Sequence, residues 1–263
     1  MKKKNPSLIS FEKCSFYLYS SQRGFLDQQD FYNWNSSQGF LKGRIFLHGY
    51  GAPAHDLLDV AISISEVADI SQSDEEKSEV FSFCLEAPLE IPYAYGGRAW
   101  FPISDEWLRE RTKNPLKAFT EGKIPQEETL MFELKIFQTL LKNCGFKDLD
   151  LMGFSQGGMV ILHWLMNLLD DFHIKNILLF STSLIDQAGL ESKLLVNQAS
   201  FKKNTTKVFV THGIADEVLP YGAGVQLETW LKENFLDTSW FPFSGGHEIS
   251  REILYKISAM LAK

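Results

Sequence analysis

The sequence predicts an α/β protein: a mostly parallel sheet with helices on both faces. Three observations carry that prediction. Short apolar runs alternate with helical stretches along the chain, the pattern of a parallel sheet whose crossovers are helices. One run, Leu149-Asp150-Leu151-Met152, passes into Gly153-Phe154-Ser155-Gln156-Gly157-Gly158 and then directly into helical spacing (Met159, Val160, Ile161, Trp164, Leu165, Leu168). Finally, the residues able to carry chemistry follow predicted strand ends, where reactive groups gather in sheets of this kind.

Composition bounds the answer. A chain of 263 residues with 44% hydrophobic content can bury a sizeable core, and no linker, repeat or low-complexity segment divides it, so one domain over 1–263 is expected. A charged fraction of 22% and a net charge of −7 leave no basic stripe for nucleic acid; the positive cluster is Lys2-Lys3-Lys4. Behind those lysines, Glu12 and Lys13 interrupt the segment before a signal-peptide core can form. No apolar run is long enough to span a membrane. Cys14, Cys84 and Cys144 are scattered without C-x-x-C spacing and read as free thiols in a reducing compartment, so the cytoplasm is the expectation.

In order, Cys14–Ser20 reads as a hairpin-paired strand and 22–43 as a turn-rich connection. Arg44–His48 is a buried strand running into Gly49-Tyr50-Gly51, and Pro53 opens a helix over 54–70 with Leu57, Leu58, Ala61, Ile62 and Ala68 apolar. Residues 71–78 are polar and read as a surface loop before the strand Val80–Leu85, which ends at Glu86-Ala87-Pro88. Residues 89–123 lack clean periodicity and read as a long loop, a lid or pocket wall. Pro125, Glu127, Glu128 and Gly145 bracket a helix with the stripe Leu130, Leu134, Phe137 and Leu141. After the serine turn and its helix come a strand at Ile174–Phe180, an irregular stretch to Lys203, and a strand at Lys207–Val210. A helix near 224–234, a strand at Thr238–Phe243 and a closing helix over 249–261 complete the chain.

Strand, Gly-x-Ser-x-Gly and helix together form a nucleophile elbow. The cramped turn holds the serine hydroxyl clear of the sheet, and glycines stand where a Cβ would clash. The next backbone N–H then lies at a helix N-terminus, where negative charge is favoured. Serine needs a base held by a third group, and on this scaffold the order is serine, acid, histidine. His48 and His55 precede Ser155, His163 lies too far along the elbow helix, and His173 leads into a strand. His212 would need Asp186, in an irregular stretch, as its acid. His247 follows the last strand through Gly245-Gly246 and is the expected base. Asp216, just past the strand at 207–210, is the expected orienter, with a turn-capping aspartate as the alternative. The glycine pair around Tyr50 is either a plain strand-to-helix turn or a second oxyanion donor, Tyr50 N–H converging with Gln156 N–H. No zinc spacing, P-loop or dinucleotide fingerprint follows any strand, so neither metal nor cofactor is expected.

Taken together, Phe46-Leu47-His48-Gly49-Tyr50-Gly51, Glu86-Ala87-Pro88, Gly96-Gly97-Arg98-Ala99-Trp100-Phe101, Gly153–Gly158, His212-Gly213 through Asp216 and Pro220, and Gly246-His247-Glu248 resemble, in register, the phospholipase/carboxylesterase family, which includes acyl-protein thioesterases. The resemblance runs from about Arg44 to the C-terminus. It implies an α/β-hydrolase fold, the triad Ser155, Asp216 and His247, and oxyanion donors at Tyr50 and Gln156. The implied activity is hydrolysis of carboxylic esters or thioesters, with a small ester, a lipid or an acylated protein as substrate. Residues 104–123 and the first 40 residues depart from the family pattern. Tyr93, Tyr95, Trp100, Phe101 and Trp107 are candidates for an acyl groove or for plain core filling, and Arg98 for meeting a negative substrate group or for a structural ion pair. A non-catalytic binding protein on a hydrolase scaffold, and an acyltransferase or lactone hydrolase, are the alternative functions.

Overall fold

Strands whose apolar residues are buried on both sides need cover on both faces, and the chain builds the centre of its sheet from such strands. The computed structural model describes residues 4–33, 41–70, 79–92, 94–169, 171–203, 206–234 and 237–261. Its strands are β1 (Ile9–Phe11), β2 (Cys14–Ser20), β3 (Gly24–Leu26), β4 (Leu41–Leu47), β5 (Val80–Leu85), β6 (Leu89–Glu90), β7 (Arg98–Ala99), β8 (Phe146–Phe154), β9 (His173–Phe180), β10 (Lys207–Gly213) and β11 (Asp237–Phe243). Eight of them lie in the order β1-β2-β5-β4-β8-β9-β10-β11, with β3 paired beside β2. From β5 to β11 every pairing is parallel, while β2 runs antiparallel to β5 and forms hairpins with β1 and β3. β6 and β7 make a separate two-stranded ribbon.

The helices are α1 (Gln28–Tyr32), α2 (Leu58–Ile70), α3 (Asp105–Lys113), α4 (Pro115–Thr120), α5 (Glu127–Asn143), α6 (Gln156–Leu168), α7 (Gln187–Lys203), α8 (Tyr221–Glu233) and α9 (Arg251–Leu261). Along β9 successive side chains divide between two cores, as the period of two demands. Ile177 and Leu179 pack with Leu134 and Phe137 of α5, Leu162 and Trp164 of α6, Leu190 of α7 and Leu227 of α8. Leu178 and Phe180 pack with Leu58, Ala61 and Ile64 of α2 and with Ile253, Leu254 and Ile257 of α9. The antiparallel edge is locked in by aromatic rings: Phe16 of β2 meets Phe31, Phe83 and Phe137 at centroid distances of 5.5, 5.4 and 5.5 Å, each edge to face. Cys14, Cys84 and Cys144 are free thiols. No helix among the described residues is long and apolar enough to cross a membrane.

Three expectations change. Residues 89–123 are not a plain loop: the ribbon β6/β7 comes first, then α3, capped by Ser104 Oγ accepting from the Trp107 N–H at 3.1 Å, then α4, opened by Asn114 and Pro115. These caps are readable signals, but each helix is too short to show a periodic stripe. The stretch between Phe180 and Lys203 contains α7, which buries Leu190 and Leu194 yet exposes Leu195 and Val196, so its apolar residues trace no single face. The connection after β2 holds β3, α1 with its Asp27 capping box, and the start of β4. The loop expected at 71–78 and Tyr93 lie outside the described residues.

Phe137 is fully buried, with Phe16, Phe83 and Trp164 ring centroids 5.5, 5.4 and 6.3 Å away. Phe137→Ala is expected to lower unfolding free energy by about 3–5 kcal/mol in urea denaturation. A loss below about 1 kcal/mol would show that the edge strands do not depend on this cluster.

Candidate active site

β8 delivers Ser155 in a backbone conformation that side chains avoid, φ 52° and ψ −120°. The surroundings hold it there. Its N–H donates to the Phe180 carbonyl at 2.9 Å, and its own carbonyl accepts from Thr182 Oγ1 at 2.6 Å and from the Gly158 N–H at 3.0 Å. Glycine is required on both sides. A Cβ at Gly153 would lie 2.6 Å from the Gly158 backbone, and one at Gly157 would lie 2.1 Å from the Leu47 carbonyl oxygen. That contact packs the start of α6 onto the end of β4.

Two further strand ends supply partners. Parallel pairing of β10 with β11 continues past the strands, because the Ile214 N–H donates to the Phe243 carbonyl and the Ala215 N–H to the Gly245 carbonyl, both at 2.9 Å. Ser181 Oγ, at the end of β9, donates to the Glu248 carbonyl at 3.0 Å. Stitched in this way, the loops bring His247 Nδ1 to 2.7 Å from Asp216 Oδ2 and His247 Nε2 to 2.9 Å from Ser155 Oγ. The tautomer follows from the partners: Nδ1–H donates to the carboxylate, leaving Nε2 to accept from the serine hydroxyl. Asp216 Oδ1 accepts from the Val218 and Leu219 N–H groups at 2.8 and 2.7 Å, so the whole carboxylate is engaged. Burial pushes this carboxyl up, but the His247 hydrogen bond, the Leu219 N–H and the His247 charge hold it below the usual range. Phe154 lies under the imidazole, ring centroids 4.9 Å apart. Such a chain can activate a hydroxyl for attack on an acyl carbon.

The Gly49-Tyr50-Gly51 turn runs against the serine: a Cβ at Gly49 would lie 3.3 Å from Ser155 Cβ. Ser155, His247, Tyr50 and Gln156 line one cleft of about 430 Å³, which deepens into an apolar region bounded by Phe101, Trp107 and Phe119. Phe101 is therefore at the cleft, as expected. Trp100 is not. It is buried behind the turn, its Nε1–H donating to the His48 carbonyl at 2.8 Å and its backbone N–H to Gln156 Oε1 at 2.9 Å. Arg98 also lies away from the cleft, its guanidinium 3.5 Å from Glu86, 3.6 Å from Glu90 and hydrogen-bonded to the Pro88 carbonyl. The ion pair is the reading that holds for Arg98.

The other histidines are occupied elsewhere. His212 is fully buried, Nε2–H donating to the Leu219 carbonyl at 2.8 Å, and burial holds it below the ordinary imidazole range. Asp186, its would-be acid, pairs with Lys123 and accepts from the Gly189 N–H at 3.1 Å. His163 bonds Glu127 at 2.8 Å and the Ile185 carbonyl at 2.9 Å.

Two positioning residues escaped the sequence reading. His48 was considered only as a base, yet its Nδ1–H donates to the Gly49 carbonyl at 2.8 Å and its Nε2 accepts from the Ala87 N–H at 3.1 Å. It thereby clamps the Tyr50 turn to the end of β5. The Gln156 side chain, considered only for its backbone, donates from Nε2 to the Phe101 carbonyl at 2.7 Å while accepting from Trp100. Both roles join segments far apart in sequence.

With this geometry in view, a family model described as phospholipase/carboxylesterase matches residues 42–263. The chain belongs to that family. Its fold is accordingly the α/β hydrolase fold, and the family places it among esterase- and thioesterase-type hydrolases. Among solved structures, esterase PE8 is 25% identical, with 86% of this chain and 94% of that one covered at a TM-score of 0.62. A carboxylesterase from Mesorhizobium loti shares 14% identity, covering 98% and 99% at a TM-score of 0.65. Zea mays acyl-protein thioesterase 2 shares 18%, covering 86% and 94% at 0.61. A comparison with curated proteins found no match.

Burial lowers the His48 imidazole from 6.5 to about 4. Below pH 6.5 the unfolded chain takes up a proton that the folded chain refuses, so stability falls as pH drops from 6.5 to 4, by on the order of 3 kcal/mol from this group. Urea unfolding across that window is expected to show a steeper loss for the wild type than for His48→Gln. Equal slopes would mean that His48 does not titrate there.

Proposed function

We propose that the protein is a serine hydrolase that cleaves carboxylic esters or thioesters through an acyl-enzyme on Ser155. The observation that carries this reading is the hydrogen-bonded chain Ser155 Oγ–His247 Nε2 at 2.9 Å and His247 Nδ1–Asp216 Oδ2 at 2.7 Å, opening onto an apolar cleft. Ser155 Oγ bonds to the acyl carbon as its proton passes to His247 Nε2, and Asp216 stabilises the imidazolium formed. The carbonyl oxygen becomes an oxyanion facing the N–H groups of Tyr50 and Gln156, neither of which has another hydrogen-bond acceptor among the described residues. Each such donor contributes roughly 10²–10³ in rate. His247 returns its proton to the departing alkoxide or thiolate. Water then repeats the sequence, releasing the acid and restoring the serine.

The aromatic depth of the cleft suits the acyl group, and family membership supports the ester or thioester class. A fluorophosphonate probe is expected to label the wild type and not Ser155→Ala. Labelling of neither would favour a binding protein on this scaffold, and equal labelling of both would overturn Ser155 as the nucleophile. Against p-nitrophenyl esters, Ser155→Ala and His247→Ala are expected to lower kcat by about 10⁶, and Asp216→Asn by about 10⁴, with circular dichroism unchanged. A mere tenfold loss at His247 would place the base elsewhere. Product analysis with added alcohols or thiols distinguishes hydrolysis from acyl transfer.

A further inference from the structure

Two cavities meet at one indole. The cleft of about 430 Å³ beside Ser155 is backed by a second cavity of about 530 Å³, and their linings share three residues: Phe101, Ile103 and Trp107. The first is apolar away from the serine. The second is lined mostly by residues 101–125 together with Ile185, and mixes Ala118, Pro125 and Ile185 with charged residues such as Glu110 and Lys117.

The shared wall is held from several directions. Phe101 is nearly fully buried, and the Gln156 amide grips its carbonyl at 2.7 Å, which ties this part of the wall to the start of α6. Trp107 sits in the first turn of α3, its backbone N–H capped by Ser104. Its ring meets Phe119 of α4 edge to face, with centroids 4.9 Å apart and planes at 77°. On the other edge, Nε1 is buried without a hydrogen-bond partner and faces Gly122, where a Cβ would come within 3.0 Å. Wedged between Phe119 and Gly122, the indole cannot swing aside without unpacking α3 from α4. A buried N–H left unpaired is tolerated where the ring's packing outweighs its hydrogen-bonding loss.

We propose that Trp107 ends the acyl cleft and is the specificity-determining residue that sets the longest acyl chain the site accepts. A cleft of about 430 Å³ lies in the lower part of the range for small-ligand pockets, and removing the indole would roughly double the space a chain can enter. Each methylene that fits adds to transition-state binding, and each that meets the wall subtracts from it. The selection therefore appears in kcat/KM against chain length. This inference rests on Ser155 as the acylated nucleophile.

The test measures kcat/KM for p-nitrophenyl esters from C2 to C16 with the wild type, Trp107→Phe and Trp107→Ala. The wild type is expected to peak short of C16 and to fall by about tenfold or more from that peak to C16. Trp107→Ala is expected to move the peak to longer chains and raise the C16:C4 ratio about tenfold or more, with Trp107→Phe between the two. Folding of the variants is checked by circular dichroism. Labelling rates of the wild type with alkyl fluorophosphonates of graded length give a readout independent of any variant, and are expected to fall beyond the same chain length. A wild type whose kcat/KM does not fall towards C16, or a folded Trp107→Ala with an unchanged profile, would overturn the assignment while leaving the hydrolase reading intact. A wild type neither labelled nor active on any ester would remove both.

Discussion

The site depends on one crowded point, where the end of β8 turns into α6 with no room for a side chain on either flank. Gly157 lies against the Leu47 carbonyl so closely that a methyl group would overlap it, and Gly153 lies against Gly158 in the same way. This crowding drives Ser155 into its unfavourable backbone conformation and draws the Gly49-Tyr50-Gly51 turn alongside it. The strain is borne by neighbours: Phe180 and Thr182 at the end of β9 hold the serine backbone from the far side. A local distortion is thus maintained by three parallel strands in register, a typical arrangement where strain persists at a functional site.

The other components extend the same logic. Asp216 and His247 belong to loops that have left the sheet, yet backbone bonds carry the β10–β11 pairing onwards as far as Ala215 and Gly245. Asp216 and His247 are therefore placed by main-chain geometry and then oriented by each other. Electrostatics separates His48 from His247. His48, buried among neutral partners, remains uncharged and structural, whereas His247 faces a carboxylate able to stabilise its imidazolium.

The proposed selectivity element lies outside this frame. The segment between β7 and α5 has no share in the serine, acid or histidine, but it supplies the aromatic wall of the cleft and a second cavity behind it. In the proposed reading, chemistry is carried by the sheet edge and discrimination by this separate segment.

Much of this was legible in the amino-acid sequence, for identifiable reasons. The parallel strands showed as short apolar runs alternating with helical stretches, α5 as a stripe bracketed by Pro125 and Gly145, and the elbow as glycines that its geometry demands. The juxtaposition of Ser155, Asp216 and His247 was foreseeable because each follows a different strand, and that rule needs no distances. What stayed hidden involved contacts between distant segments. α7 has no clean stripe because its burial is set by the helices around it, and α3 and α4 are too short for periodicity to register. The clamp of His48 on Ala87, the grip of Gln156 on Trp100 and Phe101, and the pairing of Arg98 with Glu86 each join residues that only folding brings together. The sequence by itself determined the sheet, the elbow and the order of the reactive groups, because local sterics and strand periodicity encode them. The tertiary structure alone decided which aromatic lines the cleft, because Trp100 and Trp107 are the same residue type in the same segment and differ only in what packs around them.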